Sequence, residues 1–269
     1  MARTAPSADW LVPQWPAPPN VRAVCTTRAG GVSRSPYDSF NLGDHVGDDA
    51  AAVAANRQTL REALQARPVF LNQVHRWNTV ALDAATPDAT QADACLTVRP
   101  GVACTIMVAD CLPVLFCDPE GTAVAAAHAG WRGLAGAAGE GGGEGVLEAV
   151  LKQFWAAVPV PRAQSASKTI AWLGPCIGPT AFEVGPEVKA AFEEQDPRAA
   201  GMFRPHGEGK WLADLQGLAR LRLAALGVTQ VYGNDGSAAW CTVGNPSRFF
   251  SHRRDRVSGR LAAAVWLQR

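Results

Sequence analysis

A mixed α/β fold is predicted by three observations: segments of strand-like and helix-like apolar spacing alternate along the chain, two apolar runs flank a tight-turn sequence, and no linker interrupts the later segments. Residues 1–20 are rich in proline and carry Trp10 and Trp15, which reads as an extended arm packed by its two indoles. Residues 21–269 are read as one domain, a size that a single large core can support. Val21 to Thr26 is a short apolar strand that runs into Arg28 and the pair Gly30-Gly31, where glycine permits a tight loop. Arg28 then either projects into a site or is a solvated surface cation. Asn41 to Asp49 is a polar loop holding His45, read as a surface histidine. A helix starts near Asp48, a good N-cap type, and runs to about Ala66. After Pro68, Val69-Phe70-Leu71 begins a strand whose period-two alternation brings Gln73 and His75 to one face.

Asp93 to Thr97 is a brief strand, and Gly101 to Val108 leads into the central motif. Next, Pro113 to Cys117 and Thr122 to Ala127 flank Asp118-Pro119-Glu120-Gly121, a type I turn sequence, and predict a hairpin. If residues 118 and 121 close the turn, Cys111 falls opposite His128, with β-carbons about 5 Å apart on one face. A glycine bulge at Gly121 would instead slip the register by one and reverse the face of His128. A thiol and an imidazole so paired can share a metal ion or act as nucleophile and base. Cys95, Cys104 and Cys117 sit inside apolar runs and read as small buried hydrophobes, whereas Cys111 stands at the mouth of a strand.

The run from Gly136 to Gly145 is too glycine-rich for a helix and reads as a mobile loop. Val146, Leu147, Val150, Leu151 and Phe154 mark the buried face of a helix from Val146 to Ala157. A strand over Thr169 to Leu173 leads to the loop Gly174 to Pro179, either an anion cradle of backbone N–H groups or a plain strand-to-helix turn. Glu187 to Glu194 is a short helix, and Asp214 caps a longer one ending before Gly227. Val228 to Tyr232 and Leu261 to Leu267 are the last strands. Between them, Ser251 to Arg256 concentrates cations, either a solvated run or an anion clamp built on Arg253 and Arg254.

The composition is bland: 48% hydrophobic residues and a net charge of +1 offer no electrostatic reason to expect nucleic acid or an anionic membrane. Charges and prolines break every candidate membrane span, and the N-terminal residues lack the apolar core of a secretion signal. Seven cysteines without tight spacing suit free thiols in a reducing cytoplasm. No protein partner is indicated.

Several motifs in one order carry a family resemblance. Ala109-Asp110-Cys111-Leu112-Pro113 followed by Ala127-His128-Ala129-Gly130-Trp131-Arg132-Gly133 resembles the signature of the YfiH family, also called laccase-domain, purine nucleoside phosphorylase-like or peptidoglycan-editing-factor proteins. The likeness extends from Thr26-Thr27-Arg28 through Gln73-Val74-His75 to Arg253-Arg254-Asp255 and Gly259-Arg260. It departs at His252, where the family commonly has tyrosine, and in the glycine-rich run after Gly133.

The resemblance implies a layered α-β-β-α arrangement with mixed sheets, similar to the catalytic domain of cytotoxic necrotising factor. It also implies a metal site at His75, Cys111 and His128, a set that suits zinc and, by ligand type, copper. Zinc with an open position activates water near neutral pH, as deamination at a purine C6 requires. The activity implied is phosphorolysis of purine nucleosides, inosine and adenosine, with adenosine deamination. Arg28, Arg253 and Arg254 would hold phosphate, Gln73 would line the substrate site, and Asp110 would shuttle a proton or orient a ligand. Two other activities stand beside this one: a Cys111–His128 amidase acting on a peptidoglycan precursor, and copper-dependent polyphenol oxidation. Five histidines without a His-x-His pair do not supply a multicopper centre.

Overall fold

Apolar residues two apart in strands and three to four apart in helices sort this chain into four layers. The computed structural model describes residues 9–136, 143–159 and 161–268. The middle of the expected glycine-rich loop, 137–142, lies outside them. In chain order the elements are β1 (Val21–Cys25), α1 (Ala50–Leu64), β2 (Arg67–Phe70), β3 (Thr79–Ala81), β4 (Ala94–Thr97), β5 (Val102–Val108), β6 (Leu112–Cys117) and β7 (Val124–Ala129). There follow α2 (Trp131–Ala135), α3 (Val146–Ala157), α4 (Arg162–Lys168), β8 (Ile170–Leu173), β9 (Glu183–Val184) and α5 (Pro186–Glu193). The chain closes with β10 (Phe203–Pro205), β11 (Trp211–Ala213), α6 (Leu215–Ala225), β12 (Gln230–Gly233), α7 (His252–Asp255) and β13 (Leu261–Leu267).

One mixed sheet has the order β1-β13-β5-β2 and a larger one β12-β8-β6-β7-β4-β3. Cys104, Ile106 and Val108 of β5 meet Leu115 of β6, Ala126 of β7 and Trp172 of β8 between the two sheets. The alternate residues Ala103 and Met107 of β5 point outward onto Leu60 and Leu64 of α1. On the far face of the larger sheet, Val114 and Phe116 pack on α3 and α6 through Val150, Phe154 and Leu218. The layers are therefore α-β-β-α. Both sheets are covered on both faces, which explains why the central strands are apolar throughout rather than alternating with polar residues. The cap of α6 is the expected Asp214, which accepts from Gly217 N at 2.7 Å, whereas α1 is capped one residue later than expected, with Asp49 rather than Asp48 accepting from Ala51 N at 3.2 Å. Among the described residues no helix is long and apolar enough to cross a membrane.

The β6–β7 hairpin forms, but its register differs from the simple expectation. Cys117 pairs with Val124 and Pro113 with His128, so the connection runs from Asp118 to Ala123, two residues longer than a turn closed at Gly121. The turn itself is present, with Gly121 N donating to Asp118 O at 3.1 Å and Gly121 at φ +66. The extra length comes from the buried Asp118 carboxylate, which accepts from Thr122 N at 2.8 Å, Ala123 N at 2.7 Å and Thr122 Oγ1 at 3.0 Å. Asp118→Ala leaves these donors unmatched and is expected to lower stability by about 2–3 kcal/mol, read as a shift in the urea midpoint at unchanged slope. A shift too small to measure would show that the carboxylate is dispensable.

Two local expectations are corrected. β2 ends at Phe70, so Gln73 and His75 lie beyond the strand, and His75 adopts a left-handed φ of +61 rather than continuing an alternation. The N–H groups of Gly174, Ile177 and Gly178 in the loop Gly174 to Pro179 are committed within the protein and do not cradle an anion. Gly174 N donates to Pro113 O, Ile177 N to Asp110 O and Gly178 N to Cys241 Sγ, which ties the loop to its neighbours.

Candidate functional site

Three donor side chains from distant parts of the chain meet at one end of the β6–β7 pair. Cys111 immediately precedes β6, His128 stands in β7, and His75 arrives from the segment between β2 and β3. Cys111 Sγ lies 3.7 Å from His75 Nε2, and the two imidazoles meet edge to face with centroids 4.7 Å apart. One donor atom from each residue can be chosen so that all three lie within 4.8 Å of one another. Tetrahedral zinc with ordinary Zn–S and Zn–N lengths requires a sulfur–nitrogen separation of about 3.6 Å. Both the donor set and the spacing therefore fit a metal ion. The residue beside Cys111 across the hairpin is Gly130, not His128. A β-carbon there would lie 3.0 Å from Cys111 Sγ and 2.9 Å from His75 Cδ2, so only glycine leaves room for the cluster. A slip of two residues preserves the face of every side chain, which is why His128 still joins Cys111.

Asp93 organises the cluster, although no local pattern marks it. Its carboxylate is fully buried and accepts from Val74 N at 3.0 Å, His75 N at 2.9 Å, Arg76 N at 2.9 Å and His128 Nδ1 at 2.8 Å. The three amides hold the turn that presents His75. The fourth bond directs His128 Nε2 toward the cluster, the usual carboxylate support of a ligating histidine. Burial opposes ionisation of Asp93, but the His128 contact and the backbone N–H groups outweigh it and lower its pKa.

Burial likewise opposes the Cys111 thiolate, yet His128 and His75 together bring that thiol down to about 6. Burial disfavours the His128 imidazolium, while Cys111 and Asp93 raise it to about 9. In protein stripped of metal, these two groups thus form an ion pair between about pH 6 and 9. The raised His128 contributes stability fully below its ordinary 6.5 and loses it as pH rises through about 9. The depressed Cys111 contributes fully above its ordinary 9.0 and loses that contribution as pH falls through about 6. Alkylation of Cys111 by iodoacetamide in metal-free protein is expected to reach half its maximal rate near pH 6, followed by mass spectrometry. A midpoint near that of an ordinary thiol would refute the coupling.

The cluster opens on a pocket of about 450 Å³, within the range of small-molecule sites. Trp131, Ile177 and Phe182 supply apolar walls, and Gln73, Asp110 and Arg253 also line it. Gln73 is spent on the backbone of Met107, donating to its O and accepting from its N, both at 2.8 Å. Asp110, at φ +95, accepts from Thr242 Oγ1 and from Arg253 N, each at 2.6 Å, so its carboxylate joins two loops at the rim. Arg28 and Arg254 are not brought to the pocket. Arg28 donates to the carbonyls of Asp38 and Pro246 and pairs with the Asp38 carboxylate. Arg254 donates to Thr242 O and Phe249 O and pairs with Asp255. Backbone carbonyls compete for these guanidiniums, which residue type cannot reveal. The pocket is lined instead by Arg260, His45 and His252 in addition to Arg253. Arg260 was visible only as part of the family resemblance, and His45 only as a loop residue.

Fold and site together define a layered α/β protein with a Cys-His-His cluster at the wall of a small-molecule pocket. A family model described as multi-copper polyphenol oxidoreductase laccase matches residues 22–268. A purine nucleoside phosphorylase of Pseudomonas aeruginosa is 50% identical over 96% of this chain and 98% of its own length. The purine nucleoside phosphorylase YfiH of Escherichia coli is 47% identical over 96% and 98%. A crystal structure of a Neisseria meningitidis protein superposes with a TM-score of 0.85 at 47% identity, covering 97% of this chain and all of that one. YlmD of Geobacillus stearothermophilus superposes at 0.85 with 29% identity, over 99% and 98% of the two chains. The chain belongs to this laccase-domain family, the family of YfiH.

Proposed function

We propose that this chain is a zinc-dependent purine nucleoside enzyme that cleaves inosine and adenosine by phosphorolysis and also deaminates adenosine. The observation that carries the reading is the convergence of His75, Cys111 and His128 on a pocket with aromatic walls and a cationic rim. The names of relatives at 50% and 47% identity support it. In phosphorolysis a phosphate oxygen bonds to the anomeric carbon, the carbon–nitrogen bond breaks, and its electron pair leaves on the purine, which takes up a proton. Trp131 and Phe182 offer the apolar faces on which a purine ring packs. Arg253, whose amide is fixed by Asp110, holds the phosphate, and Asp110 acts as a positioning residue because both its oxygens are engaged. His75, Cys111 and His128 would hold the zinc, which when bound supplies a Lewis acid with an open position. Deamination adds water at C6 and releases ammonia, with no need for phosphate.

The test is elemental analysis followed by turnover assays with and without phosphate. About one zinc per chain, phosphate-dependent release of hypoxanthine with ribose 1-phosphate from inosine, and phosphate-independent formation of inosine from adenosine are expected. No hypoxanthine in the presence of phosphate would reject the main reading.

A second reading rests on Cys111, His128 and Asp93 standing in the order of a nucleophile, a base and the group that orients it. That is an amidase acting on a peptidoglycan precursor, and it requires the thiolate to be free of metal. Zinc content that tracks activity in proportion excludes it. For polyphenol oxidation, the described residues hold one cluster of three donors, suited to one ion rather than several.

A further inference from the structure

The rim of the pocket holds two guanidiniums, those of Arg253 and Arg260. Some arginines of the chain are paired, among them Arg57 with Asp44 and Arg222 with Glu148, and the two first considered as anion binders are paired as well, Arg28 with Asp38 and Arg254 with Asp255. Among the described residues, Arg253 and Arg260 form no ion pair. The nearby Asp110 carboxylate is occupied by Thr242 and an amide. Arg253 donates Nη1 to Glu183 O at 3.0 Å, and Arg260 donates Nη1 to Ser258 O at 2.9 Å and Gly259 O at 3.1 Å. Those bonds orient each side chain, with the Arg253 guanidinium also 5.7 Å from the Phe182 ring centroid, and leave Nε and Nη2 without a hydrogen-bond partner among the described residues.

Arg260 is also held from outside. Buried Asn41 accepts from Arg260 N at 2.8 Å and from Gly43 N at 2.9 Å, and a β-carbon at Gly43 would lie 2.7 Å from Arg260 Cγ. The loop that carries His45 is thus closed around this arginine. A partly buried cation without a counter-charge is costly unless a ligand supplies one. The fork of a guanidinium matches the oxygens of phosphate.

From this geometry we infer that Arg253 and Arg260, with His45 and His252 beside them, form an oxyanion subsite that takes a phosphate group. The inference deepens the phosphorolysis reading by assigning the phosphate to Arg260 as well as Arg253, away from Arg28 and Arg254. It also holds for a phosphate carried on a nucleotide.

Calorimetric titration of the purified protein with inorganic phosphate tests it. Saturable binding is expected in the parent, weakened at least about tenfold in Arg260→Met and in Arg253→Met, with Arg254→Met unchanged. Arg260 is the one enclosed by the Asn41 loop, so if its variant melts early the Arg253 variant decides. Adenosine and adenosine 5′-monophosphate distinguish the source. Adenosine binding alongside bound phosphate supports a separate co-substrate, whereas displacement of phosphate by the monophosphate with no adenosine binding alongside phosphate supports a nucleotide. No saturable phosphate binding, or equal binding in the parent and the Arg253 variant, overturns the inference. Phosphorolysis without measurable phosphate binding at these arginines would sink the subsite and leave the activity standing. Phosphate binding without nucleoside cleavage would do the reverse.

Discussion

Replacing Cys111 with alanine is expected to empty the proposed zinc site and to lower phosphorolysis of inosine by about 10³-fold or more, since a Lewis acid held there would contribute several kcal/mol to the transition state. Two imidazoles alone bind zinc weakly, and the sulfur contributes the anionic donor of the set. The measurement is paired: zinc per chain by elemental analysis and hypoxanthine release at saturating phosphate. Retention of full activity by a zinc-free variant would end the proposal. The comparison with chelation separates the two enzyme readings. Chelating zinc from the unaltered protein should abolish phosphorolysis, whereas an amidase using the free thiolate would gain activity under the same treatment.

The second large effect is expected at Asp93, which touches no substrate. Asp93→Asn keeps the shape but exchanges one acceptor for a donor, which must then face an amide N–H or His128 Nδ1. The four bonds received by the carboxylate span two distinct oxygens, so no flip of the amide satisfies them all. Leaving buried donors unmatched costs about 2–4 kcal/mol in folding stability. Loss of the group orienting a ligating histidine weakens metal binding by about 10–100-fold. Chelator competition reads the second effect and thermal denaturation the first. Because its pKa is lowered in the folded state, the contribution of Asp93 is present above its ordinary value of 3.8 and is lost as pH falls through its lower folded value. Unchanged zinc affinity in the asparagine variant would show that the backbone alone positions His75 and His128.

The hairpin illustrates how far local pattern reaches. The proline and glycine of the turn, and the two apolar runs, were legible, and the turn forms where they indicate. The register was not, because Asp118 gathers the following amides into a longer loop, a choice made by one buried carboxylate rather than by turn type. Since the difference is two residues, facing was preserved and Cys111 and His128 still meet in one cluster, although Gly130 and not His128 lies opposite Cys111. Gln73 and His75 reach the pocket for a different reason from the one alternation suggests: their segment has left the strand and is shaped by Asp93. Arg28 and Arg254 were plausible anion binders by type, but nearby carbonyls turned them elsewhere, while Arg260 and His45 line the pocket through the loop folded around Asn41.

By itself the sequence determined the alternation of strands and helices, the helix cap at Asp214 and, to within one residue, the cap at Asp49, while the donor set of two imidazoles and a thiol came with the family resemblance. The elements and their caps follow from contacts between residues a few positions apart, which period and residue type record directly. Only the tertiary structure decided which side chains meet. His75, Cys111 and Asp93 converge through sheet pairing and buried hydrogen bonds between segments far apart in the chain. A carboxylate or guanidinium is committed by the nearest partner in space, and spacing along the chain does not encode that distance.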